Sequence, residues 1–126
     1  MSASFDRQAR LKKRSEFDRT YRQGRRAGGR FFLCFFLQSG EVVMPRCRLG
    51  LSVSRKVGGA VVRNRIKRVV REFFRQRRAF LRPGLDVVVN ARPVAAQAAT
   101  RDLWRDLDAV FHRAGAWERA PAGLTA

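Results

Sequence analysis

Apolar residues recur along this chain with two different periods, and the switches between them mark its elements. From 60 to 80, Val62, Ile66, Val69, Val70, Phe73 and Phe74 fall at helical spacing. At about 100° per residue they share one side of a helix. Asn64, Lys67, Arg68, Arg71, Arg75 and Arg78 fall on the other side, with Glu72 the one acid of that stretch. Arg82-Pro83-Gly84 ends the helix. A second stripe of Leu103, Trp104, Leu107, Val110, Phe111 and Ala114 predicts a last helix, with Thr100 as its N-cap and Asp102 in its first turn. A short first helix over 16–23 has Ser15 as its N-cap and Gly24 as its C-cap.

Three stretches carry strand patterns. Residues 30–38 are apolar on both faces, as in a strand that is covered on both sides or that lines an aromatic cleft on one. Residues 46–54 alternate, with Cys47, Leu49, Leu51 and Val53 on one face and Arg48, Gly50, Ser52 and Ser54 on the other. The small residues of that second face leave room for a backbone or a base. Residues 85–91, with the run Val87-Val88-Val89, read as a strand buried on both faces. Residues 25–29 read as a flexible basic connector and 39–45 as a polar loop. The order α-β-β-α-β-α predicts an α+β sandwich of helices on a small sheet. Residues 1–10 read as a flexible basic arm, 11–115 as a single domain and 116–126 as a disordered tail.

Charge narrows the function. Among 126 residues there are 28 Lys+Arg and 10 Asp+Glu, a net charge of +18. Such self-repulsion calls for a polyanion, with nucleic acid first and an anionic membrane surface second. Four of the basic residues are lysine (Lys12, Lys13, Lys56, Lys67) and the other 24 are arginine, whose flat fork suits phosphate and base planes. Cys34 and Cys47 have no metal-site spacing and read as small buried hydrophobes of a reducing compartment. No stretch reaches the roughly 18 apolar residues of a membrane span, and a cytoplasmic protein is expected.

Catalytic chemistry is not apparent. His112 is the lone histidine, on the last helix, and no nucleophile or base assembles around it. The acids are dispersed, with Asp102 and Asp106 spaced to support Arg105 and its neighbours. Gly58-Gly59, between a strand and the basic helix, lacks both GxGxxG and the Walker lysine, although a basic loop at a helix start still offers N–H groups to a phosphate. Phe17 and Tyr21, four apart, read first as core anchors and second as a stacking platform for unpaired bases.

Three motifs then stand in order: Leu11-Lys12-Lys13-Arg14-Ser15-Glu16-Phe17 with Tyr21 and Gly24; Leu49-Gly50-Leu51-Ser52-Val53-Ser54-Arg55-Lys56-Val57-Gly58; and Arg63-Asn64-Arg65-Ile66-Lys67-Arg68. In this order they closely resemble the protein subunit of bacterial ribonuclease P, from about Leu11 to Gly115. The resemblance implies an α-β sandwich like the second domain of ribosomal protein S5, with a left-handed βαβ crossover where the general rule favours a right-handed one. It implies the protein subunit of a ribonucleoprotein endonuclease that removes the 5′ leader of precursor tRNA. Hydrolysis would belong to the RNA, with Mg²⁺ bound mainly by that RNA and none held by protein side chains. The implied partners are the catalytic RNA and precursor tRNA, with no membrane and no DNA.

The resemblance also assigns residues. Phe17, Tyr21, Arg30, Phe35 and Arg92 match the leader cleft, which moves Phe17 and Tyr21 from core to stacking. Arg55, Lys56, Arg63, Asn64, Arg65, Lys67, Arg68 and Arg71 match the basic signature and its flanks. Tyr21 departs from the phenylalanine common in the family, Gly28-Gly29 is looser than usual, and nothing after Gly115 has a counterpart. The alternative is a general or ribosome-associated RNA-binding protein; a third reading is an autonomous basic nuclease.

Overall fold

The computed structural model describes residues 10–38 and 47–119. Its elements are α1 (Arg14–Gln23), β1 (Arg25–Gly28), β2 (Phe32–Gln38), β3 (Arg48–Ser52), α2 (Ala60–Arg77), β4 (Leu85–Ala91) and α3 (Thr100–Arg113). Short 3-10 turns extend α2 over Arg78–Phe80 and lead into α3 over Pro93–Gln97. Among the described residues the strands form a four-stranded sheet, ordered β1-β2-β4-β3. β2 is antiparallel to both its neighbours, and β3 runs parallel to β4. A parallel pair needs a long crossover, and α2 supplies it.

The two apolar stripes meet on one face of this sheet. Ile66, Val70, Phe73 and Phe74 of α2 and Leu103, Leu107, Val110 and Phe111 of α3 are buried there, with Phe32, Cys34 and Phe36 of β2 and Val87 and Val89 of β4. Edge-to-face rings tie the layers together: Phe36 to Phe111 at 5.0 Å, Phe111 to Phe73 at 5.3 Å and Phe73 to Trp104 at 5.7 Å. Such pairs add about 1 kcal/mol each beyond the area that they bury. Both cysteines are free and buried. Burial raises both thiols above their ordinary value, and the Cys47 thiol donates to the Arg82 carbonyl at 3.1 Å.

The structure adds a strand to the order read from the sequence. Residues 25–28 are an edge strand, not a flexible connector. They have no apolar alternation to reveal it, and their strand character comes from pairing with residues 33–36. The side chains of Arg25 and Arg113 fasten this edge, donating to the carbonyls of Ala114 at 3.1 Å and Gly28 at 2.6 Å.

Two caps also move. Lys13, not Ser15, is the N-cap of α1, and Ala99, not Thr100, that of α3. The Glu16 carboxylate takes over at α1, accepting the N–H groups of Lys12 and Lys13 at 3.1 Å each. Gly24 is the C-cap with an ordinary negative φ. It is needed for space, because a Cβ there would lie 2.5 Å from the Thr20 carbonyl oxygen.

The chain stays folded beyond the expected domain end. Ala116 and Trp117 are buried, Trp117 lies 5.6 Å from the Phe111 ring, and the Glu118 N–H donates to the Phe80 carbonyl at 2.8 Å. At the other end Leu11, the first residue of the expected domain, is buried, its N–H donating to the Leu49 carbonyl at 2.9 Å. The rest of the expected arm and tail, and the polar loop over 39–45, lie outside the described residues.

Asp106 has a different task from the one its spacing predicts. Its carboxylate reaches from α3 to the β1–β2 turn and accepts the N–H groups of Arg30, Phe31 and Phe32 at 3.0, 3.0 and 3.2 Å. This explains Gly29, where a Cβ would stand 2.3 Å from Asp106 Oδ1. Asp106→Ala strands three donors and should destabilise the fold by about 3 kcal/mol, read as a lowered urea midpoint with unchanged slope.

Candidate nucleic-acid interface

The second face of the sheet is covered by α1 alone among the described helices. Alternation puts Phe35 of β2, Val88 and Asn90 of β4, and Gly50 and Ser52 of β3 on this face, in register: Phe35, Val88 and Gly50 form one row, and Leu33, Asn90 and Ser52 the next. α1 crosses it from β3 towards β2. Phe17 lies on Gly50, where a Cβ would come within 2.7 Å of the ring. One turn later the Tyr21 hydroxyl donates to Asn90 Oδ1 at 2.8 Å, and its ring meets Phe35 edge-on at 4.9 Å. Phe17, Tyr21 and Phe35 all remain half-buried. The room that the sequence left over Gly50 is therefore taken by Phe17, and the structure brings together the three aromatics expected in a cleft.

An ion network seats the start of α1. Arg48 of β3 donates to Glu16 at 2.7 Å and to both oxygens of Asp86 at 2.9 Å. Burial pushes the Glu16 carboxyl up, but the Lys13 and Lys12 N–H groups and then Arg48 outweigh it, leaving the group below its ordinary value. Arg48 is raised, first by its hydrogen bonds to Asp86 and against its own burial. Sequence alternation had placed Arg48 on this face without revealing either partner.

Topology gathers the basic residues. Because β3 and β4 are parallel, their C-terminal ends share one end of the sheet with the start of α2. Arg55 and Lys56 follow β3 and are exposed. Arg92 follows β4, half-buried, its Nε donating to the Gly29 carbonyl at 3.0 Å. Asn64 and Arg68 are exposed on α2, with Lys67 and Arg71 half-buried. Burial, and then the nearby charge of Arg10, lower the pKa of Arg71. Lys67 and Arg71 line a pocket of about 130 Å³ together with Phe17, Leu49 and Leu51. One ring of the aromatic set, Phe17, thus shares a pocket with two cations of the basic set, and Arg10 and Leu11 complete its lining.

Three residues carried into the site make contacts within the fold. Arg63 Nε donates to the Gly58 carbonyl at 3.1 Å. Arg65 donates to the Ala98 carbonyl at 2.8 Å, pinning α2 to the approach to α3. Both flank the apolar stripe of α2, close enough to the core to be used for packing. Arg30 is not brought to the aromatic cleft: its guanidinium lies over the Phe31 ring at 5.2 Å, in a hollow shared with Asp102, Arg105 and Asp106 of α3. Among the described residues, no three His, Cys, Asp or Glu side chains come together to hold a metal ion, and no helix is long and apolar enough to cross a membrane.

A family model, Ribonuclease P, matches residues 5–115. The chain belongs to the ribonuclease P protein family. The ribonuclease P protein component of Streptomyces avermitilis is 45% identical over 111 residues, 82% of this chain and 89% of that protein. That of Exiguobacterium sibiricum is 39% identical over 110 residues, 87% of this chain and 93% of that one. Among solved structures, the Staphylococcus aureus RNase P protein is 34% identical with a TM-score of 0.80, covering 87% of this chain and 98% of that one. The Thermotoga maritima RNase P protein is 30% identical with a TM-score of 0.73, covering 82% and 96%. The fold is therefore the α-β sandwich of ribonuclease P proteins, and membership implies a subunit of a tRNA-processing endoribonuclease.

Two predictions follow from the α1 contacts. Gly50→Ala drives a methyl group into the Phe17 ring and should cost about 1–3 kcal/mol, read by urea unfolding, with the ring displaced in the NOE pattern of Phe17. The second concerns pH. The folded Glu16 carboxyl lies below its unfolded value, so its contribution is complete above the unfolded pKa of about 4.3 and is lost as pH falls through the folded value. Urea midpoints should fall less on acidification below about pH 4 in Glu16→Gln than in the parent protein.

Proposed function

We propose that the chain is the protein subunit of a ribonuclease P, that its basic end holds the catalytic RNA, and that its aromatic cleft takes the single-stranded 5′ leader of precursor tRNA. The observation that carries this reading is the pocket shared by Phe17, Lys67 and Arg71. A stacked base and its phosphate need a ring and a cation side by side, and this wall provides both.

The division of labour follows from the side chains. Asn64, Lys67 and Arg68 have no side-chain partner among the described residues, so their polar groups are available to RNA. Each phosphate that a cation neutralises releases counterions and makes binding salt-dependent. Half-buried rings instead give stacking of about 1–3 kcal/mol per base, largely insensitive to salt. Arg55 and Lys56 share one end of the sheet with Arg92, so in this reading the catalytic RNA and the leader meet there. In this reading hydrolysis is performed with Mg²⁺ held by the RNA subunit, and the protein binds and orients the substrate.

Reconstitution tests the proposal. Purified protein added to the catalytic RNA at low Mg²⁺ should restore leader cleavage, while the protein alone in Mg²⁺ should leave precursor tRNA intact. A protein that gives no gain in rate or affinity is not such a subunit. The two surfaces should also separate. Arg68→Ala should weaken RNA binding and flatten the log–log salt dependence by about one unit. Phe17→Ala should lower affinity for leader-bearing substrate about tenfold or more, with an unchanged salt slope. Equal losses with and without a leader would remove the stacking assignment.

A further inference from the structure

We infer that the hollow between α3 and the β1–β2 turn binds an unpaired guanine nucleotide, with Arg30 stacked on the base, Asp102 on its Watson–Crick edge and Arg105 on its phosphate. This site lies on the other face of the sheet from the aromatic cleft and is independent of the leader reading.

The hollow has a volume of about 350 Å³ and is lined by Arg30, Phe31, Asp102, Arg105, Asp106 and Ala109. That is the size class of small-molecule sites. The four α3 residues fall at i, i+3, i+4 and i+7, so they share one face of the helix. Asp106 is already committed to the three N–H groups of the turn, which it holds in place as one wall. Asp102 and Arg105 are exposed, and neither side chain has a hydrogen-bond or ion-pair partner among the described residues. Arg30 is exposed too, and its guanidinium lies over the buried Phe31 ring at 5.2 Å. With Phe31 on its inner side, the guanidinium keeps its outer side open, and such a plane is a stacking surface for an unpaired base.

Base choice follows from Asp102. A carboxylate offers two oxygens and accepts from two adjacent donors. Guanine carries such a pair, N1–H and the 2-amino group. Adenine and cytosine each set an amino donor beside a ring acceptor. Uracil sets its one N–H between two carbonyls. Each of these three would bring a lone pair against a carboxylate oxygen. Arg105, one turn along from Asp102, supplies the charge for a phosphate.

Continuity with the basic end points to RNA as the source of the guanine. Arg92 grips the same turn, its backbone N–H donating to the Phe31 carbonyl at 2.8 Å and its Nε to the Gly29 carbonyl at 3.0 Å. The hollow therefore adjoins the surface proposed above for the catalytic RNA, and a base unstacked from that RNA can enter it. This last step rests on that proposal; the recognition of guanine does not.

Two experiments on the full chain test the site. In the first, GMP, AMP, CMP and UMP are titrated into the protein and followed by amide NMR shifts. GMP should bind about tenfold more tightly than the other three, the worth of one bidentate contact, with shifts centred on residues 30, 31, 102 and 105. Inorganic phosphate should not reproduce them. Asp102→Asn should lose the preference for GMP and gain one for xanthosine monophosphate, in which a carbonyl replaces guanine's 2-amino group and accepts from the new amide. Lost packing would weaken all the nucleotides alike and could not exchange one preference for another. In the second, kethoxal, which modifies N1 and N2 of unpaired guanosines, maps the catalytic RNA in the reconstituted holoenzyme. The parent should protect a guanosine that both Asp102→Asn and Arg30→Ala expose again. That protection assigns the guanine to the RNA, whereas a GMP preference without it assigns a free nucleotide. No preference among the mononucleotides, together with no guanosine whose protection depends on Asp102, overturns the inference. A parent protein that fails to bind the catalytic RNA at all overturns the reading of the basic end instead.

Discussion

Two parallel strands cannot be joined by a hairpin, and the pairing of β3 with β4 is the constraint from which the interface follows. The chain leaving β3 must return along the whole sheet before β4 begins, and α2 is that return. The start of α2, the loop after β3 and the exit from β4 then share one end of the sheet. Arg55, Lys56, Asn64 and Arg92 converge there although 37 positions separate the first from the last. A chain of charge +18 gains from placing like charges where water and a polyanion can screen them. Arginines nearer the core are neutralised or capped internally. Arg77, for instance, lies over Phe73 and Trp104 and pairs with Asp108 at 2.7 Å.

The aromatic cleft depends on a second device, the seating of α1. Its apolar contact is Phe17 on Gly50, and its polar contacts run from Glu16 through Arg48 to Asp86 at one end and from Tyr21 to Asn90 at the other. The helix is ten residues long and would be marginal alone. Pinned at three points, it holds its rings half-exposed. A deeper seat would bury the rings, and a looser one would let them collapse onto the sheet.

Much of this was legible in the chain. The stripes of α2 and α3 and the two-sided strands β2 and β4 carry their burial in their periodicity, and they fold as that periodicity predicts. What escaped was non-local. The strand over 25–28 has no pattern of its own and exists because β2 lends it partners. Asp106 looked like a surface acid until α3 brought it to a turn 76 positions away in sequence. Arg63 and Arg65 sit inside the basic signature, yet their positions beside the apolar stripe give them backbone carbonyls to hold. The tail from 116 reads as frayed because only Trp117 marks it as core, and one residue makes no period. Composition pointed to a polyanion; the roles of Phe17 and Tyr21 came from likeness to a family, and the geometry then explains how rings on so short a helix stay available.

The central claim is that the basic end of the sheet and the aromatic face under α1 present two surfaces to two different RNAs. Cys34 and Cys47 are buried, so a thiol introduced at the surface can be labelled selectively with a photo-crosslinker. The decisive measurement is the strand crosslinked from Arg68→Cys and from Ser52→Cys in the holoenzyme bound to precursor tRNA. The account predicts that position 68 marks the catalytic RNA whether or not the substrate has a leader, and that position 52 marks the leader and is silent without one. Crosslinks from both positions to the same RNA, or a signal at position 52 indifferent to the leader, would contradict it.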